Sequence, residues 1–123
     1  YEEVIGGKFF VKPQGERPAS TYKEKVPIIA RPAPAVANHP IIRGLGHLET
    51  LDEAYKGMWH SPRIKVMMET DSPFNDRPVV YIGPQEKSRA VYIQFGHGSY
   101  SHNHPSYRRL VYNAILWSAG RTR

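Results

Sequence analysis

The stretch of sequence that decides the fold is SRAVYIQFGHGSYSHNHPSYRRLVYNAILWSAG, residues 88–120. Its first part, Ser88 to Phe95, is rich in β-branched and aromatic residues, which is typical of a strand. In its last part, from Ser106 to Ala119, apolar residues recur about every 3.6 positions, which predicts a helix with one buried face. Gly120 follows as a terminating residue. The stretch therefore predicts a strand that passes through the glycine-flanked His97 into a C-terminal helix.

Further strands are expected upstream of this stretch. Runs of β-branched and apolar residues predict them over Tyr22–Ala30, Ile64–Glu69 and Pro78–Gly83. The short polar segment 84–87 predicts an antiparallel hairpin between the last of these and Ser88–Phe95. Two shorter segments carry weaker signals. His47–Tyr55 is ambiguous between strand and loop, and Tyr1–Gly7 resembles the end of a helix closed by a double glycine.

The composition limits the classes of function. A chain of 123 residues, 40% of them hydrophobic, is one globular domain, and its apolar runs fall far short of the ~20 residues that span a bilayer. The absence of cysteine excludes disulfides, thiolate nucleophiles and Cys-ligated metals. The net charge of +6 comes from scattered Lys and Arg rather than from a basic run. Nucleic-acid binding is therefore not expected.

The first candidate for chemistry is the loop between the last strand and the last helix. It carries His97, His102 and His104. Open α/β sheets bind ligands where a strand runs into a helix, and neutral imidazole is a common zinc ligand. An acidic residue such as Asp52 could complete a site with His97. The alternative is a polar loop that merely contains histidines, with His104 capping the helix.

The second candidate is the acidic pair Asp52-Glu53, followed by Tyr55. Adjacent side chains of an extended segment point to opposite faces, so only one of the two carboxylates enters a given site. That carboxylate would act as a base, a sugar-hydroxyl acceptor or a metal ligand. The alternative is a solvated acidic face. His39, in an Asn-His-Pro sequence, could likewise be a ligand or a turn residue.

Six segments together resemble the ThuA-like, or trehalose-utilisation, family. In chain order they are Tyr1–Phe9, His39–Leu45, Asp52–Tyr55, Arg77–Val80, Ser88–His97 and Tyr107–Gly120. The resemblance implies an α/β fold of the class I glutamine amidotransferase-like type, a flavodoxin-like sandwich with a mixed sheet and a C-terminal helix. It covers only the C-terminal half of such a fold. Residues 1–123 would then form a single ThuA-like domain that lacks its N-terminal half.

The resemblance also implies a function in the use of trehalose or a related disaccharide, with an exported location slightly favoured. His97, Asp52 and Glu53 would be the catalytic residues, and His39, Tyr55 and His102 would bind substrate. A divalent metal such as zinc would bind His97 and Asp52. The competing hypothesis is a non-catalytic module that packs against another chain or against the missing half. On either view we expect an oligomer or a longer parent protein, because an isolated half-sheet leaves apolar surface and strand edges uncovered.

Overall fold

A computed structural model describes residues 1–122 of the chain. The helices are α1 (Glu2–Ile5), α2 (Ser99–His102) and α3 (Pro105–Ser118), and short 3₁₀ turns cover Pro34–Val36 and Pro40–Ile42. The strands are β1 (Gly7–Lys8), β2 (Thr21–Pro32), β3 (Leu48–Lys56), β4 (Trp59–His60), β5 (Lys65–Thr70), β6 (Pro78–Ile82) and β7 (Val91–Ile93). The predicted strands are therefore present, although the last one is shorter than Ser88–Phe95.

Five strands form one sheet in the order β3-β2-β5-β6-β7, and β1 pairs separately with β4. Every pairing between strands of residues 1–122 is antiparallel. The expectation of a mixed sheet is therefore wrong for this part of the chain. For the pairs β5–β6 and β6–β7 the reason lies in the connections: residues 71–77 and 83–90 are too few for the crossover of a dozen or more residues that a parallel pair needs. The predicted hairpin of β6 and β7 is confirmed.

The ambiguous segment 47–55 is a strand because its neighbour supplies a buried face for it. In β2, Val26, Ile28 and Ala30 are buried and alternate with exposed residues. Leu48 lies opposite Ala30 in β3, and buried and more exposed positions alternate along β3 in the same way. The alternation in β3 is weak in sequence because polar Thr50 and Asp52 occupy buried positions. A pattern of hydrophobicity alone could not identify this strand.

The helix α3 covers one face of the sheet. Leu110 is fully buried in the core, and the amide of buried Asn113 donates hydrogen bonds to the carbonyls of Ile41 and Arg43, both 3.0 Å away. His104 caps the helix: its Nδ1 accepts a hydrogen bond from the Ser106 N–H at 3.1 Å. This is the capping role that the alternative interpretation of the histidine loop predicts. No helix within residues 1–122 has the length and apolarity needed to cross a bilayer.

Part of the apolar stripe predicted for α3 does not reach the core. Ile115 is 62% exposed, and it lines a groove between α3 and the edge strand β7. The groove residues are Val91, Ile93, Val111, Ala114, Ile115, Ser118 and Ala119. The apolar face of α3 is thus wider than the part of it that packs against the sheet. One side of the helix and the free edge of β7 together form an apolar surface that no described residue covers.

Candidate functional site

A cleft of about 290 Å³ opens where β2, β3 and the loop after β7 meet. Its lining residues are Glu24, Lys25, Leu51, Asp52, Glu53, His97, Gly98, Ser99 and Tyr100. The three residues predicted as catalytic, His97, Asp52 and Glu53, therefore all line this cleft. They come from segments more than forty residues apart, because the loop after β7 returns to the middle of β3.

His97 and Glu53 form the central pair of the cleft. The Nε2 atom of His97 lies 3.1 Å from a Glu53 carboxylate oxygen. The Glu53 side chain is 11% exposed and the His97 side chain 56% exposed, so the imidazole is the member that solvent or a ligand can reach. Burial and, next, a hydrogen bond to Glu53 raise the pKa of Tyr55. Tyr55 therefore stays protonated.

Asp52 faces the other way, as the alternation of a strand requires. It is 5% exposed, and one of its oxygens accepts a hydrogen bond from the Glu53 N–H at 2.7 Å. The other oxygen accepts from the Gly96 N–H at 2.9 Å and from the Ser101 hydroxyl. Both oxygens are thus engaged by the protein. Asp52 holds the loop that carries His97, and Glu53 is the carboxylate that meets the imidazole.

A bulge in β2 brings two further residues into the cleft. Lys23 pairs with Ala54 and Val26 with Asp52, so Glu24 and Lys25 both lie opposite the single residue Glu53. Lys25 has a φ of 53°, a left-handed conformation that is uncommon for a residue with a side chain. Bulges and strained residues of this kind concentrate next to functional sites.

Sequence reasoning missed Glu24 and Lys25. The alternating charges of Lys23, Glu24 and Lys25 have the pattern of an exposed strand face. Only the register of β2 against β3 shows that Glu24 belongs to the cleft. Glu24, Glu53 and His97 each offer one ligand atom, and these three atoms lie within 4.8 Å of one another. Within residues 1–122, these residues form the group that could hold a metal ion.

Comparison with known proteins agrees with this architecture. The sequence profile of the ThuA family, described as trehalose utilisation, matches residues 1–118. The chain belongs to the ThuA family. Its fold is similar to the crystal structure of a ThuA-like protein from Parabacteroides merdae, with a TM-score of 0.66 and 16% identity over 95% of this chain. The chain spans 49% of the length of that relative. No protein of curated function matches it.

The three residues expected to bind substrate, His39, Tyr55 and His102, lie outside the cleft lining. His39 caps the 3₁₀ turn Pro40–Ile42, where its Nδ1 accepts a hydrogen bond from the Ile41 N–H at 3.2 Å. Its ring packs 5.6 Å from that of Trp117, and burial lowers its pKa. Trp117 is twelve positions after Pro105, about 18 Å along α3 at a rise of about 1.5 Å per residue. His39 therefore supports the far end of the helix and is not brought to His97.

His102 lies near the cleft but faces its supporting loop. Its Nε2 is 2.8 Å from the Gly96 carbonyl oxygen, and its ring packs against Tyr107. Tyr55 is likewise absent from the lining, and its ring packs edge-on against that of Phe9. The cleft does contain an aromatic residue that sequence reasoning missed: Tyr100, 61% exposed, in α2. The structure thus groups His97, Glu53 and Asp52 with Glu24, Lys25 and Tyr100.

Proposed function

We propose that this ThuA-family chain binds a sugar of the trehalose class in the cleft, with the Glu53–His97 pair as its acid/base element. The observation that carries the proposal is this pair itself: a largely buried carboxylate 3.1 Å from an exposed imidazole, both lining a cleft. A carboxylate bonded to one imidazole nitrogen orients the ring and stabilises its protonated form. The family description, trehalose utilisation, supports the choice of ligand.

The size of the cleft suits one sugar ring. At about 290 Å³ it lies at the lower end of the ~300–1,000 Å³ typical of small-molecule sites. A disaccharide would therefore place one ring inside and the other at the mouth. Tyr100 and Leu51 offer apolar surface for the C–H face of a ring, while Glu53 and His97 offer partners for hydroxyl groups.

The pairing determines what His97 can do to a sugar hydroxyl. Because Nε2 faces the Glu53 carboxylate, it carries the hydrogen of the neutral ring. Nδ1 is then the atom that accepts a hydrogen bond or a proton from a sugar hydroxyl, and in the protonated ring it donates one back. The Glu53 carboxylate faces the ring and offsets the charge of the imidazolium. The pair would thus move a proton at one hydroxyl of the bound ring.

Calorimetric titration with trehalose tests this proposal. We expect saturable binding that weakens at least tenfold in His97→Ala and in Glu53→Gln, because each variant removes one side of the pair. His47→Ala is the matched control, since His47 is an exposed histidine outside the cleft and its loss should leave the dissociation constant unchanged. Equal binding by the wild type and His97→Ala would contradict the proposal.

A second candidate function is favoured by the apolar groove between β7 and α3. We infer that this groove packs against further polypeptide, and the half of a ThuA-like fold that this chain does not span is the occupant we favour. An edge strand beside an exposed apolar helix face is a typical docking surface. On this view the chain is an interaction module, and trehalose binding would be absent or unaffected by His97→Ala.

Light scattering of the purified chain tests the second candidate. We expect particles heavier than the 14.0 kDa of one chain, because chains cover each other's grooves when no other partner is present. Ile115→Glu should reduce this association by placing a charge in the groove. Tyr112→Glu is the control, since Tyr112 is exposed on the same helix but lies outside the groove. A monodisperse 14.0 kDa monomer with a cooperative melt would rule out the need for a partner.

A further inference from the structure

We propose that Glu24, Glu53 and His97 together bind a divalent transition-metal ion, a proposal that concerns the same cleft as the proposed function. Their ligand atoms, one from each residue, all lie within 4.8 Å of one another. Two oxygens and one imidazole nitrogen are a donor set that suits Zn²⁺ or Mn²⁺. This set differs from the one the sequence suggests, because Asp52 is replaced by Glu53 and Glu24 is added.

The distances fit an ion with little movement of the protein. Two ligand atoms that each lie about 2.1 Å from one zinc ion are about 3.0–3.4 Å apart when they are neighbours in the coordination sphere. Nε2 of His97 and the Glu53 oxygen, 3.1 Å apart, are already at that separation. Glu24 needs to approach by an ångström or so. Its side chain is exposed and projects from the bulge, so rotation about its own bonds provides this shift.

The charges around the cluster also favour a cation. Glu24 and Glu53 bring two carboxylates close together, and like charges at this range repel. Within residues 1–122, Glu53 has His97 as its ion-pair partner, and Glu24 has none, although Lys25 is its neighbour in the chain. An ion between the carboxylates would replace this repulsion by attraction to both.

The open side of the proposed site faces the cleft. Three protein ligands leave at least one coordination position for water or substrate, which is the arrangement of catalytic rather than structural zinc sites. With an ion bound, Nε2 of His97 would be a ligand, so Nδ1 would carry the hydrogen of the neutral ring and could donate a hydrogen bond to the sugar. The ion would supply polarisation of a sugar hydroxyl that reaches it. The ligand class of the cleft is therefore a sugar with a free hydroxyl that can reach the ion.

Titration of the tag-free protein with Zn²⁺ tests the proposal, and Glu24→Gln is the decisive variant. It removes a metal ligand but leaves the Glu53–His97 pair intact. We expect one Zn²⁺ per chain, an increase in Tm on its addition, and at least tenfold weaker binding in Glu24→Gln. Glu49→Gln is the matched control, because Glu49 lies on the same strand, is exposed and lies outside the cluster. This variant should bind Zn²⁺ like the wild type.

The outcomes separate this proposal from the sugar proposal. If Zn²⁺ does not bind, or binds equally to the wild type and Glu24→Gln, the metal site is wrong. The metal-free trehalose titration with His97→Ala then still decides the proposed function on its own. If Zn²⁺ binding weakens in Glu24→Gln but trehalose binding is absent with and without the ion, the metal site stands and the sugar proposal fails. Zn²⁺ binding that is lost in His104→Gln and kept in Glu24→Gln would overturn the ligand set.

Discussion

Asp52→Ala is expected to lower the free energy of unfolding by about 3 kcal/mol, since removing a buried acceptor leaves its donors without partners at roughly 1–3 kcal/mol each. The donors in question are the Glu53 N–H and the Gly96 N–H. The Ser101 hydroxyl, which also donates to Asp52, can turn to the Thr50 hydroxyl 2.7 Å away. The same change frees the loop that carries His97, because the bond to Gly96 ties that loop to β3. Urea unfolding measures the loss of stability. Amide hydrogen exchange at Gly96 should accelerate well beyond the average for the sheet.

The conservative variant Asp52→Asn shows whether lost hydrogen bonds cause the loss of stability in Asp52→Ala. Asp52→Asn keeps the shape but offers one acceptor oxygen in place of two, so we expect an intermediate loss of stability. Glu49→Ala, an exposed position of the same strand, should change the free energy of unfolding by less than about 0.5 kcal/mol. An Asp52→Ala protein as stable as the wild type would show that the contacts of Asp52 do not hold the loop.

Leu110→Ala is expected to cost about 2–5 kcal/mol, the range for removing a fully buried leucine side chain and leaving a cavity. Leu110 is 0% exposed and belongs to the core cluster between α3 and the sheet. Because α3 covers that face of the sheet, loosening this contact weakens the packing of the whole face. The midpoint of urea unfolding, compared at an unchanged m-value, measures the effect.

Two further variants test whether the cavity causes the loss of stability in Leu110→Ala. Leu110→Met nearly conserves volume and should cost less than about 1.5 kcal/mol. Tyr112→Ala removes a larger side chain from the same helix, but Tyr112 is 58% exposed, so its effect should be small. Equal losses in Leu110→Ala and Tyr112→Ala would mean that the buried face of α3 is not where its stability comes from.

The elements that local sequence specifies were predictable. The helix α3 is fixed by its periodicity, by Pro105 at its start and by Gly120, which adopts a φ of 71° after its end. The hairpin of β6 and β7 follows from two β-rich runs and a short polar turn. The antiparallel sheet was not predicted. The expected mixed sheet came from the resemblance to a whole ThuA-like fold, whereas short connections make the pairs β5–β6 and β6–β7 antiparallel.

The candidate site was predictable only in part, because it depends on how distant strands pair. His97 stands out in sequence because two glycines flank it, and the acidic pair stands out because it is adjacent. The register of β3 decides which of the two carboxylates faces His97. Glu24 lies in the cleft because β2 bulges where it pairs with β3. His39 illustrates the opposite case. Its Asn-His-Pro sequence leaves open a ligand or a turn residue, and in the structure it packs on Trp117 and caps a 3₁₀ turn.

The most direct test of the central claim, that the cleft between β2, β3 and the His97 loop binds sugar, is to map amide chemical shifts during titration with trehalose. We predict saturable shifts at Glu24 and Lys25, around Glu53, and from His97 to Tyr100, with little change at His39 or along the exposed side of α3. Shifts that cluster elsewhere, such as the arginine-lined surface formed by Arg43, Arg109 and Arg121, would contradict the account. So would a spectrum that trehalose leaves unchanged.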